Sequence, residues 1–314
     1  MRGILPNVER SSKWGASWLD AIGQRLALGA VAVLLAGALV SDAVAKEARA
    51  PDAIDTEHTY YAQPGLVAAK LAALAPERPG IADLYFLGFA GTSTQDVFLK
   101  EARFAQKLFD DRFDTRNRSL LLANNPSSVG ELPVASASNL RAALAGVAKK
   151  MNLDEDILFL FLTSHGSKHV FSIYFPELAL DDLGDRELRQ MLDDSGIKWR
   201  VIVISACYSG SFIDALKNDR TLVLTAASAD RTSFGCSNEN DFTYFGDAYL
   251  NEALRKDRNF ITAFEHARAS IAEREAKEKL TPSEPQISVG KAIKAKLDQL
   301  EERLAKPRAA ASAQ

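Results

Sequence analysis

ILFLFLT, residues 157–163, is apolar from Ile157 to Leu162 and then breaks into the polar run SHGS. A stretch of strand length with no polar alternation has no face to offer water, so it predicts a strand buried on both sides, in the middle of a parallel sheet with helices above and below. The same pattern returns at RVIVIS, residues 200–205, which runs into ACYSG. Working outward, the sequence predicts strands over 83–89, 119–123 and 222–226, with a hairpin strand at 169–175. Helices are predicted over 94–109, 138–151, 184–193 and 246–277, with a last, Lys- and Glu-rich helix over 291–304. In the first of these helices Val97, Phe98, Phe104 and Leu108 read as the apolar face. Strands alternating with helices define an α/β fold, a mostly parallel sheet flanked by helices on both faces.

The organisation expected along the chain is a signal or anchor at 1–45, preceding the fold as a helix, and a polar, aperiodic linker at 46–63. A catalytic-type α/β domain follows over 64–280, then a C-terminal helix and disordered tail at 281–314. Arg2, Arg10, Lys13 and Arg25 precede the apolar run 26–40, and small residues follow at Ala43–Ala45. A basic flank, an apolar centre and an A-x-A site predict export. The apolar run is long for a signal core and short for a bilayer span of about 20 residues. Cleavage after Ala45 and retention as a membrane anchor through residues 26–45 both stay open, with the remaining chain periplasmic or membrane-anchored on the exported side.

The chain has 314 residues, 47% hydrophobic and 25% charged, with a formal net charge of -3, so its bulk is globular and it carries no basic stripe for nucleic acid. It contains no P-loop and no G-x-G-x-x-G, and no Asp-rich calcium loop, so no cofactor is implied. His165 and His169 are four apart across a glycine turn with no third ligand nearby, a poor zinc pattern. The two cysteines, Cys207 and Cys236, are too few for a disulfide scaffold. Cys236 reads as structural or as a weak disulfide partner.

In a parallel α/β sheet, functional side chains collect at the carboxyl ends of strands. His165 follows one such end and Cys207 another, 42 residues apart in sequence but adjacent if the two strands pair. A cysteine nucleophile needs a thiolate, which a positioned histidine supplies. It also needs N–H donors for an oxyanion, a role open to the backbones of Gly166 and Cys207. Gln95 or Asp96, after the first strand, could contact substrate or orient His165.

The segments TSHGS and SACYSGSF, followed by TAASADRTSFGCS and YFGDAY, resemble the legumain-type cysteine peptidases, a group that includes the catalytic subunit of the glycosylphosphatidylinositol transamidase and shares the caspase fold. The resemblance covers about residues 80–260. Gly210 stands three residues after Cys207, which suits this group better than the caspase spacing of two. The resemblance implies a caspase-like fold, Cys207 and His165 as the catalytic pair, and Gly166 with Cys207 at the oxyanion. It implies Ser205, Ser233 and Asp247 around the first specificity pocket. Ser205 stands where asparaginyl peptidases carry an acid, and TSTQDVF lacks their Arg-His pair, so asparagine preference is not implied. The expected activity is that of a cysteine endopeptidase acting on peptide or protein through an acyl-enzyme. The alternatives are a transamidase or ligase using the same pair, or a non-catalytic envelope interaction protein on a peptidase fold.

Overall fold

In the computed structural model the described residues are 54–306. The expected signal or anchor at 1–45 and the tail beyond 306 lie outside them. Among the described residues no helix is long and apolar enough to cross a membrane.

The chain runs through α1 (Thr56–Ala72), β1 (Leu84–Ala90), α2 (Val97–Arg112), β2 (Ser119–Ala123), α3 (Ala137–Ala148) and β3 (Ile157–Thr163). Three short strands follow, β4 (Gly166–Ser167), β5 (Val170–Phe171) and β6 (Leu183–Gly184), then α4 (Asp185–Asp194), β7 (Trp199–Ser205), α5 (Ile213–Leu216) and β8 (Thr221–Thr225). The chain closes with α6 (Tyr244–Gly246), a π-helical stretch (Asp247–Ala253), α7 (Phe260–Glu278), β9 (Gln286–Val289) and α8 (Lys291–Ala305). The main sheet has the order β2-β1-β3-β7-β8-β9 and is parallel except for the β9 edge. β4, β5 and β6 form a separate antiparallel sheet.

Strand pleating divides each central strand between two cores. Phe159 and Phe161 of β3, with Val201 and Val203 of β7, pack with α2, the π-helical stretch, α7 and α8; Leu158, Leu160, Ile202 and Ile204 pack with α3 and α4 on the other face. This is why ILFLFLT carries no polar residue until its last position. On the α2 side the filling is aromatic: Phe109 lies 4.2 Å from Phe159 and 4.6 Å from Phe113 between ring centroids.

Three expectations need correction. Residues 56–63, read as linker, are the first turns of α1, which the Asp55 side chain caps by accepting from the His58 N–H and which continues through Pro64. Only Thr59 and Val67 of this helix are buried, so no apolar stripe marked it. Tertiary ties offset the break that an interior proline normally makes: Gln63 accepts from the Val134 N–H at 2.8 Å and from Asn139 Nδ2 at 2.9 Å, and Leu71 fills the space that a side chain on Gly146 would need. The expected domain end at 280 falls short, because β9 and α8 belong to the sheet and its core. Finally, the helix expected over 246–277 is interrupted before Asn259, whose side chain caps a new helix by accepting from the Ile261 and Thr262 N–H groups at 3.0 Å. In α2, Phe104 is partly buried against the same core as Val97, Phe98 and Leu108 and packs edge-on against Phe242 at 4.8 Å.

Candidate active site

The register of the two central strands builds the site. β3 and β7 pair in parallel with Thr163 opposite Ser205 as the last pair. His165 and Cys207 therefore each stand two residues past the same level of the sheet. The Ser164 N–H donates to Ser205 O at 3.2 Å and prolongs the pairing by one step. Beyond it, Gly166 lies so close to the Cys207 carbonyl that a Cβ there would sit 2.8 Å from that oxygen, so any side chain would part the two loops.

After Cys207 the chain turns sharply: Tyr208 adopts φ 56°, its N–H donates to Arg231 O at 2.7 Å, and Gly210 packs against the Ser228–Ala229 backbone, where a Cβ would meet atoms at 2.7 Å. These contacts fold the 228–242 loop over the cysteine. Its Ser233 N–H donates to Cys207 Sγ at 3.3 Å, and the thiol faces Ser233 O at 3.6 Å and Oγ at 3.7 Å. Ser233, expected to line the first specificity pocket, lies beside the sulfur. The Cys207 N–H has no hydrogen-bond acceptor among the described residues, while the antiparallel β4–β5 ladder uses His165 O, one position before Gly166, in a 3.0 Å bond from the Ser172 N–H. Ladder alternation then leaves the Gly166 N–H outside the pairing.

His165 is half-buried. Its Nε2 lies 2.7 Å from Gln95 Oε1, which also accepts from Thr94 Oγ1, and Phe98 packs edge-on against the ring at 5.1 Å. An amide oxygen requires a proton on Nε2, which leaves Nδ1 as the basic nitrogen. Burial pushes the imidazole below its usual 6.5, so it is neutral at pH 7. Of the two residues offered for orienting His165, Gln95 does so. Asp96 instead accepts from Asn125 Nδ2 at 2.8 Å, and its N–H donates to Asn238.

Of the other two expected pocket residues, Ser205 is closed to solvent at 2% exposure, and its hydroxyl is 3.1 Å from Thr243 Oγ1 in a buried network beneath the site. It is a structural hydroxyl because the β7 pleat turns it toward the core below α2. Asp247 is engaged by Asn251 Nδ2 at 2.9 Å and by Arg274 at 3.5 Å, on the side packed against α7.

The centre of the buried network is Glu101, which the sequence reading missed. Its carboxylate is fully buried and accepts from Thr163 Oγ1 at 3.0 Å and from both the N–H and Oγ1 of Thr243 at 2.8 Å. Desolvation raises its pKa above the ordinary carboxylate value, and those donors oppose the rise. It links the ends of both central strands to the segment that leads into α6. A signal was present: Glu101 falls on the same helical face as Phe98, Ala105 and Leu108, where a charged residue demands buried partners.

Cys207 and Cys236 are both free thiols. Burial, with the Cys207 and Glu101 charges nearby, pushes the Cys236 thiol up to about 12, which makes it inert. His169 is exposed and pairs with Asp185 at 2.8 Å.

Comparison with known proteins adds three findings. The model of the peptidase C13 family matches residues 135–296, just over half of the chain. The legumains of Mus musculus and Rattus norvegicus are each 31% identical over 96 residues, covering 30% of this chain. The match spans 22% of the length of each legumain. Among solved structures, caspase-1 from Spodoptera frugiperda aligns with a TM-score of 0.46 at 13% identity, covering 69% of this chain and 94% of that one.

Proposed function

The chain belongs to the peptidase C13 family, and from that premise we propose that it is a cysteine endopeptidase in which Cys207 is the nucleophile and His165 carries the proton. The observation that carries this reading is the strand register, which sets both reactive side chains two residues past a shared level and holds Gly166 against the Cys207 carbonyl.

In the proposed reaction Cys207 Sγ attacks the scissile carbonyl carbon while its proton passes to Nδ1 of His165. The oxyanion that forms takes hydrogen bonds from the Gly166 and Cys207 N–H groups. Collapse of the tetrahedral intermediate breaks the C–N bond, the imidazolium protonates the leaving amine, and a thioester remains on Cys207. A water, deprotonated by His165, then attacks the thioester; the acid product leaves and the thiol recovers its proton. Gln95 keeps Nε2 protonated throughout, so that Nδ1 does the proton transfer. The N–H of Ser233, 3.3 Å from the sulfur, helps hold it in place for the attack.

The substrate is a peptide or protein. The basic, apolar and small-residue order of the first 45 residues supports an exported site of action, and mass analysis of the mature chain tests it: removal of the signal leaves Lys46 as the first residue, and a retained anchor leaves the full mass.

The reading is tested by iodoacetamide labelling at pH 5–8 of the wild type and of His165→Ala, with the label located by mass spectrometry. Cys207 should label faster than a free thiol, slow markedly in His165→Ala, and outpace Cys236 throughout. Labelling at free-thiol rates that ignores the His165 change removes the peptidase proposal.

A further inference from the structure

A pocket lies at the amino ends of the strands, at the opposite end of the sheet from Cys207. It encloses about 320 Å³ and is lined chiefly by Asp111, Arg112, Asp114, Arg258, Arg303 and Lys306. Its position follows from the topology: Asp114 precedes β2, Arg303 and Lys306 close α8, and α8 passes beside Trp199, the first residue of β7, with Lys296 Nζ 5.5 Å from that ring.

The charges do not balance. Both carboxylates are already engaged: Asp111 pairs with Lys107 at 2.6 Å and Arg116 at 2.9 Å, and Asp114 pairs with Arg78 at 2.6 Å and Arg303 at 2.7 Å. Arg112 donates only to carbonyls, those of Leu254 at 3.1 Å and Lys256 at 3.4 Å, and neither Arg258 nor Lys306 makes an ion pair among the described residues. Burial and the neighbouring Arg258 and Arg255 charges push the Arg112 guanidinium below its ordinary value. The carbonyl-rich C-terminal ends of α2 and α8 draw cations to this region, and that accounts for Arg112. It does not account for Arg258, which lines the pocket and makes neither a hydrogen bond nor an ion pair among the described residues.

Crowded guanidinium groups around a cavity about ten waters in size, with Arg258 unpaired among them, suit the acceptor geometry of a tetrahedral oxyanion. We propose that this pocket binds a phosphate-type dianion through Arg112, Arg258 and Arg303, with Lys306 at its mouth. The dianion is a soluble phosphomonoester or the headgroup of an anionic phospholipid.

The full-length protein is titrated with inorganic phosphate against chloride at constant ionic strength, following calorimetric heat and the thermal midpoint. Phosphate should bind and raise the midpoint, and Arg258→Gln, which breaks no ion pair, should weaken binding about tenfold or more. Lys306→Gln, at an exposed chain position, should weaken it less, and circular dichroism checks that both variants fold. A phosphate response equal to that of chloride, or one that both variants leave unchanged, overturns the proposal. Vesicles of phosphatidylcholine with and without phosphatidic acid separate the sources. A phosphatidic acid preference that Arg258→Gln abolishes identifies a lipid headgroup, whereas equal vesicle binding alongside a retained phosphate response identifies a soluble phosphomonoester; both outcomes uphold the pocket.

Discussion

At the carboxyl ends of β3 and β7 the polar groups are mostly neutral hydroxyls and amides gathered around one buried carboxylate, Glu101, whereas at the amino ends of β1 and β2 charged groups interlock. There Asp83, with no exposure, is held by Arg78 and by Arg118 at 3.3 Å, and Asp114 joins Arg78 to Arg303 of α8. The Asp156 carboxyl, between the Asp83 and Asn152 N–H groups, is pushed up to about 6 by burial. One end of the sheet uses charge to staple distant elements together. The other keeps fixed charge away from the reacting groups, so that burial and hydrogen bonds set the state of His165. The proposed reactive pair and the anchoring ion pairs are thus separated by the length of the strands, and substitutions at the two ends should fail in different ways.

The largest effect is expected at the reactive end without loss of fold. Cys207→Ser should lower kcat/KM on a peptide substrate by about 10⁴-fold or more and His165→Ala by about 10²–10⁴-fold, with thermal midpoints near that of the wild type. If either variant unfolds instead, these residues serve the core and the contrast between the two ends collapses.

Glu101→Ala should cost stability as well as activity. It strands the Thr243 N–H and the Thr163 and Thr243 hydroxyls in a space closed to water, and the cost should reach about 3 kcal/mol in urea unfolding. Glu101→Gln keeps the volume and one acceptor oxygen and should cost less. Equal stability of Glu101→Ala and wild type would mean that the network is not what joins the two strand ends.

At the amino end, Asp114→Asn should leave catalysis alone and weaken the fold. Burial works against the charged form of Asp114, but the hydrogen bonds from Arg78 and Arg303 hold its pKa down at about 2, against an ordinary value of 3.8. A depressed carboxyl pKa stabilises the fold above the unfolded value and loses that contribution as pH falls through the folded one. The substitution should therefore cost about 1–2 kcal/mol at pH 7 after allowance for solvent screening, and the difference from wild type should shrink between pH 4 and pH 2. A cost independent of pH would assign the loss to packing.

The two ends were not equally legible in the sequence. β3 and β7 could be read because burial on both faces leaves continuous apolar runs, and their register then brought His165 and Cys207 to one level. α1 was invisible because a helix that buries only Thr59 and Val67 has no stripe. β9 is four residues long, follows two prolines, and gains its meaning only from β8. Glu101 was overlooked because a lone glutamate in an amphipathic helix usually faces water, and its partners, Thr163 and Thr243, are far away in sequence. Ser205 was assigned from the resemblance alone, whereas its position in the pleat turns it inward.

The smallest effect bears most directly on how the reactive end avoids fixed charge. If burial against Phe98 is what keeps His165 neutral, the acidic limb of kcat/KM in the wild type should lie below pH 6.5, because the base works only when deprotonated. Phe98→Ala admits water to the ring, removes part of the desolvation, and should move that limb up toward 6.5. Gln95→Glu places a carboxylate against Nε2–H, stabilises the imidazolium, and should move the limb higher still. Both changes are worth less than about tenfold at pH 7, so the profile shows them better than a single rate does. A wild-type limb at or above 6.5, or a limb that neither variant moves, would show that the ring's state is set by a charge outside this arrangement, and the contrast between a hydroxyl-built end and an ion-paired end would lose its chemical meaning.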